Sequence, residues 1–255
     1  MPTLGQLLAD FEAMTLDSLD AVALLNRFDR KYLLAASQLQ ELLQHLRREY
    51  RILEIDGRRL HQYRTLYFDT PAFDLYHRHH ADEPIRHKIR SRQYVDSALS
   101  FFEVKTRDAQ GRTVKARLRT DAPLTSLTPE ARALLAVQVP PDEQRVGPKL
   151  QNDFQRVTLV GRHTPERLTL DLGIQFTHDN RTAGMPGVVI AEVKQRGRAT
   201  ASAFVQLLAE RDIASTSISK YCLGVAMLVP GIGRAAFESK LQAIEALASG
   251  PLMAP

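Results

Sequence analysis

From Tyr63 onward, polar and apolar side chains alternate with a period of two through one segment after another. Such alternation marks strands that bury one face. It predicts strands at 62–69, 85–95, 99–107, 112–119, 153–162, 166–175 and 187–195, with an earlier one over "RFDRKYLL" at 27–34. Gly111 in "DAQGR" marks a hairpin turn. Elsewhere the spacing is helical. Leu4, Leu7, Leu8 and Phe11 open an amphipathic pattern that predicts a helix over 4–25. Ser37, with Glu41 following, reads as the start of a helix reaching about Tyr50, and Thr128 as the start of a short one. Helices are also expected at 199–211 and about 233–248, whereas "SISKYCLGVAML" reads as a returning strand. With no repeat or flexible linker, residues 1–255 form a single α+β domain: a core at 26–228 interrupted by a helical insertion at about 121–150.

The polar faces of these strands are unusual. "IRHKIRSRQY" places Arg86, Lys88, Arg90 and Arg92 on one face, about 7 Å apart. Glu103, Lys105 and Arg107 share a face with Phe101, Lys115 one with Arg117 and Arg119, and Arg167 one with Thr169 and Asp171. An acid-x-Lys unit recurs as Asp29/Lys31, Glu103/Lys105 and Glu192/Lys194. One strand of this kind is ordinarily a solvated sheet face. Repeated over several strands, Arg and Lys in such excess repel one another unless an anion neutralises them. Closing the sheet into a barrel would turn the charged face inward, where arginine's planar fork suits phosphate oxygens. The inward carboxylates then either pair with neighbouring lysines or hold a hard cation such as Mg²⁺ or Mn²⁺.

Composition narrows the setting. The chain has 255 residues, a formal net charge of +5, 44% hydrophobic and 25% charged residues, enough for one large core. No apolar run approaches the length needed to span a bilayer, and the N-terminus lacks the pattern of a signal peptide, so a cytoplasmic location is the default expectation. Cys222 is the only cysteine, which excludes an internal disulfide and a cysteine-rich zinc site. His77, His79, His80 and His87 cluster in sequence, but zinc requires three or four ligands at suitable geometry, and the neighbouring acids, Asp82 and Glu83, fall in an expected turn. "SISKYCLG" contains a Ser-Lys pair without a nucleophile elbow. There is no P-loop and no dinucleotide fingerprint.

Taken in order, "RFDRKYLL", "LYFDTPAFDLYHRHH", "RHKIRSRQY", "FFEVKTRDAQGRTVKARL", "LTLDLGIQF", "VVIAEVKQ" and "SISKY" resemble the VTC domain, the polyphosphate-polymerase branch of the CYTH or triphosphate-tunnel metalloenzyme superfamily. The resemblance covers roughly 22–228. It implies a closed, eight-stranded antiparallel barrel with helices outside, binding ATP or triphosphate and polyphosphate in a basic tunnel with Mn²⁺ or Mg²⁺. Carried over by motif, Lys31, Arg90, Arg92, Lys105, Arg156, Arg167 and Lys220 bind phosphate, and Glu192 is the metal-binding glutamate. The strand faces add Lys88, Lys115, Arg117 and Lys194 as lumen cations, and Glu103 and Asp29 as further carboxylates. Two departures stand out. The superfamily's Glu-x-Glu-x-Lys opening is here Arg27-Phe28-Asp29-Arg30-Lys31, which weighs against a two-metal hydrolytic site. The lysine usual before the Ser-Lys motif is replaced by Ser215, Thr216 and Ser217. Polymerisation is the expected activity, with hydrolysis in the same tunnel and non-catalytic anion binding as alternatives. Double-stranded nucleic acid is not an expected partner, membrane coupling would need a separate partner, and the oligomeric state is open.

Overall fold

The computed structural model describes residues 2–21, 27–196 and 202–249. In chain order these form α1 (Leu4–Ala9), β1 (Ala13–Met14), α2 (Leu16–Ala21), β2 (Arg27–Ala35), α3 (Leu39–Leu46), β3 (Tyr50–Leu53), β4 (His61–Asp69) and α4 (Asp74–His80). There follow β5 (Arg86–Tyr94), β6 (Leu99–Arg107), β7 (Thr113–Thr120), α5 (Pro129–Gln138), β8 (Gly147–Gly161), β9 (Glu166–His178), β10 (Arg181–Gly184) and β11 (Val188–Arg196). The chain ends with α6 (Ala203–Ala209), α7 (Lys220–Leu228) and α8 (Glu238–Ala248).

Eight strands run side by side in the order β2-β11-β9-β8-β4-β5-β6-β7, and every pairing along that path is antiparallel. All the predicted strands up to 195 lie in this sheet, most within two residues of the expected ends, and Gly111 turns the β6–β7 hairpin at φ 78°. This antiparallel path of eight matches the expected barrel, with β1, β3 and β10 joined to the same sheet beside it, but closure does not. Among the described residues β7 and β2 are not paired with each other, so the sheet is curled and open along one seam. The curl is nonetheless tight enough for Lys105 on β6 to feel Lys31 on β2 and Glu192 on β11.

The convex face holds one large core. Tyr32, Leu34, Leu168, Leu170, Val189, Ala191 and Val193 pack against α1, α3 and α6. Over the other half of the sheet, Ile89, Phe102 and Val104 pack under Ala131 and Leu135 of α5. Thr128 caps α5, accepting from the Ala131 N–H as its sequence position predicts.

Several expectations need correction. The helix expected over 4–25 breaks after α1, because Phe11 turns into the core and β1 pairs with β3; Thr15 then caps α2. Residues 22–25 of that expected helix, and 199–201 of the one at 199–211, lie outside the described residues. Ser37 sits inside a 3-10 turn ahead of α3, which stops at Leu46 because Tyr50 and Ile52 join the sheet through β8. "SISKYCLGVAML" is not a strand. Ser219 caps a helix there by accepting from the Cys222 N–H at 3.3 Å, and α7 is buried nearly all round. Nor do all helices lie outside. Tyr221, Cys222, Val225 and Leu228 of α7 pack with Tyr67, Leu150, Phe154, Val188 and Ile190 on the concave side, plugging one end of the curled sheet. Gly224 permits this approach: a Cβ there would lie 2.6 Å from Leu150 Cδ2 and 2.7 Å from Phe176 Cδ1. Among the described residues no helix is long and apolar enough to cross a membrane.

Candidate functional site

Strand register decides which side chains meet on the concave face. On β5, β6 and β7, Lys88, Lys105 and Lys115 stand directly opposite one another, forming a row of three lysines. Two residues along lies the row Arg90, Glu103 and Arg117, and beyond it Arg92, Phe101 and Arg119. Across the concavity Lys31, Glu192 and Thr169 form a row, as do Asp29, Lys194 and Arg167. Most of the cations predicted from the strand faces are thus brought to one surface.

Three carboxylates hold this surface together. Glu103, 1% exposed, accepts from Arg90 Nε at 2.7 Å and Nη2 at 2.6 Å, and pairs with Lys115. Burial opposes its ionisation, but Arg90, Arg92 and Lys115 outweigh burial and hold it at about 2. Asp171 accepts from Arg156 Nε at 2.6 Å and Nη2 at 2.7 Å, and pairs with Lys220 at the head of α7. Burial likewise opposes its charge, and Arg156 and Lys220 hold it at about 2. Glu192 pairs with Lys194 and lies 3.9 Å from Lys31 Nζ; Lys194 and Lys31 keep its carboxyl low against the effect of burial. Lys31 also donates to the Ile218 carbonyl at 2.9 Å, tying β2 to the segment before α7.

The lysines feel the opposite pressure. Burial pushes Lys88 down to about 7, helped by Lys31, Lys105 and Arg90. Burial and Lys31 lower Lys105 to about 8, and burial lowers Lys220 to about 8 despite Asp171. Among the described residues neither Lys88 nor Lys105 has a carboxylate at ion-pair distance. A row of like charges on adjacent strands is costly without a counter-charge.

The remaining predicted residues take distinct places. Asp29 is exposed at the rim, opposite Lys194. Arg167 is half-buried, on the row of Lys194. Arg117 is exposed and lies over the Phe101 ring, 5.0 Å from its centroid, rather than among the paired cations. The histidines do not gather: His80 lies against Phe237, His87 Nδ1 is 3.1 Å from Thr106 Oγ1, and burial beside Lys88 and Arg86 drives His79 down to about 2. Among the described residues no three His, Cys, Asp or Glu side chains converge as a metal site. Ser219 serves as a helix cap and Lys220 as the partner of Asp171, so they form no nucleophile pair.

Sequence reasoning missed Asp171 as a site residue, although it lies in the same alternation as Arg167 and Thr169. It also missed the aromatic side of the site. Tyr63 stacks on Phe154 at 5.2 Å and meets Arg156 at 5.0 Å and Arg92 at 5.7 Å.

The family model for the VTC domain matches residues 26–229. No curated protein matches the chain. Among solved structures, a candidate adenylate cyclase from Vibrio parahaemolyticus is similar at 14% identity and a TM-score of 0.47, over 77% of this chain and 97% of that one. A candidate adenylate cyclase from Bacillus halodurans is similar at 16% identity and a TM-score of 0.47, over 76% and 96%. A candidate adenylyl cyclase from Hippeastrum, with a dominant triphosphatase activity, is similar at 18% identity and a TM-score of 0.42, over 80% and 98%.

Proposed function

The chain belongs to the VTC domain family, and from that membership we propose that it is a metal-dependent polyphosphate polymerase, transferring the γ-phosphate of ATP to a growing chain in the basic concavity. The lysine row Lys88–Lys105–Lys115 carries this reading. Lys115 is paired with Glu103, but among the described residues Lys88 and Lys105 have no carboxylate at ion-pair distance, and a phosphate chain supplies negative charge that can follow the rows.

Lys31, Lys88, Arg90, Arg92, Lys105, Arg156 and Lys220 hold the phosphates and keep acceptor and donor in line. The terminal oxygen of the acceptor chain is already anionic, so its attack on the γ-phosphorus needs no general base. A P–O bond forms there as the bond to the β-phosphate oxygen breaks, and ADP leaves with that electron pair. Catalysis is then positioning plus charge stabilisation.

The donor set bears on the metal. Glu103 is engaged by Arg90 and Lys115, Glu192 by Lys194 with Lys31 at 3.9 Å, and no three metal-type ligands converge among the described residues. Such a donor set would suit a Mn²⁺ or Mg²⁺ bound largely by phosphate, with Glu192 as the one carboxylate that would hold it, the usual manner for Mg²⁺. It does not fit a site made by protein ligands alone. When bound, the cation would offset charge on the transferring phosphoryl group.

Purified protein incubated with ATP and Mn²⁺ should yield long phosphate chains on a gel. Phosphate release from tripolyphosphate without chains would make it a hydrolase, and binding without turnover would make it an anion-binding module.

A further inference from the structure

Along the concave side of β8, β4, β5 and β6 runs a ladder of rings. Phe154 stacks on Tyr63 at 5.2 Å, Tyr63 meets Tyr94 at 5.0 Å, and Tyr94 meets Phe101 edge-on at 6.0 Å. Phe154 and Tyr63 are buried, and their role in packing explains them. Tyr94 and Phe101 are only half-buried, on the face that carries Arg92 and Arg119. A site for phosphate alone gains nothing from rings at this position. The Arg117 guanidinium lies 5.0 Å over Phe101, so one ring face is already matched to a planar, cationic neighbour. Tyr94 stands six residues from Lys88 on the same strand, about 20 Å at strand rise. The lysine row and the rings therefore lie toward opposite ends of the same wall.

We propose that Tyr94, Phe101 and Arg117 form a nucleobase site, so that a nucleoside triphosphate enters with its base stacked at this end and its phosphates directed toward the lysine row. This rests on the triphosphate reading of the concavity and adds an orientation and a selectivity for the donor. Stacking recognises the π face of a base and discriminates little by hydrogen bonding, so purine nucleotides bind best and the exact purine matters little. Arg117 acts through its plane, which a lysine cannot reproduce.

Calorimetric titration of the full chain tests this with three ligands at fixed Mg²⁺ and salt: ATP, ribose 5-triphosphate and tripolyphosphate. ATP should bind about tenfold more tightly than the base-free sugar triphosphate. Phe101→Leu and Tyr94→Leu should erase that preference, each keeping tripolyphosphate affinity, while Tyr94→Phe keeps the preference. The wild-type comparison needs no variant, so a misfolded mutant leaves the test intact. Equal affinity for ATP and ribose 5-triphosphate in the wild type, with tripolyphosphate bound, would overturn the base site alone. Failure to bind tripolyphosphate would overturn the phosphate reading and the base site with it.

Discussion

Replacing Asp171 with Asn keeps the shape of the side chain and removes its charge. Asp171 is 2% exposed and receives two hydrogen bonds from Arg156, at 2.6 and 2.7 Å, as well as the ion pair from Lys220. Both cations are themselves mostly buried, with side chains 15% and 14% exposed. Neutralising one partner of a buried ion pair costs about 3–5 kcal/mol, because the other charge stays behind uncompensated. In a chain of this size each kcal/mol moves the melting temperature by about 2–4 °C, so the anion-free variant should melt roughly 6–20 °C lower. Tripolyphosphate supplies negative charge to the same cations. Saturating ligand at a hundred times its Kd adds about 2.7 kcal/mol to any protein that binds it. The variant should gain more than the wild type, because among the described residues its two cations have no other carboxylate at ion-pair distance. Thermal melts of both proteins, with and without tripolyphosphate, measure this directly. A variant melting within about 2 °C of wild type, or an identical anion shift in both, would refute the role given to Asp171.

Glu192→Gln should lower polymer formation about a hundredfold while leaving metal-free tripolyphosphate binding in place, as gel assay and titration would show; unchanged polymer would remove Glu192 from the metal site. Lys88 near 7, with Lys105 and Lys220 near 8, makes binding pH-dependent. Phosphate favours the protonated lysines, so titrations should show affinity falling as pH rises through 7 to 9. Stability moves the other way: below the usual lysine range of about 10.5 the unfolded chain binds more protons, so melts of the anion-free protein should rise with pH across about 7–10. Gly224→Ala drives a methyl against Leu150 and Phe176 and should cost about 1–3 kcal/mol in a denaturant melt.

Much of the sheet was legible because its strands are amphipathic. In β5, Ile89 and Ser91 had to face away from Lys88, Arg90 and Arg92, and period-two spacing says so without tertiary information. The run "KYCLGVAML" was not legible in that way. It is apolar on all sides, so periodicity cannot tell a buried helix from a buried strand, and what decides is the Ser219 hydroxyl capping the first turn. The cations of the site were visible in sequence because they repeat. Asp171 was not singled out, since a lone acid opposite Leu170 and Leu172 looks like any solvated position until β8 and α7 bring Arg156 and Lys220 to it. The open seam was not legible either, because the pairing of β2 with β7 concerns two strands far apart in the chain.

Lys220 and Tyr221 are neighbours in the first turn of α7, so their side chains leave the helix about 100° apart. One pairs with Asp171 on β9, and the other donates to Asp69, which also receives the Leu75 and Tyr76 N–H groups at the start of α4. Two adjacent residues are thus pinned to carboxylates on different strands. A helix held at one point can swivel or slide; held at two divergent points, it has a fixed rotation and depth. The position of the Lys220 ammonium is accordingly set in part by a tyrosine that points away from it, and Tyr221→Phe would let the cation drift without altering a single charge.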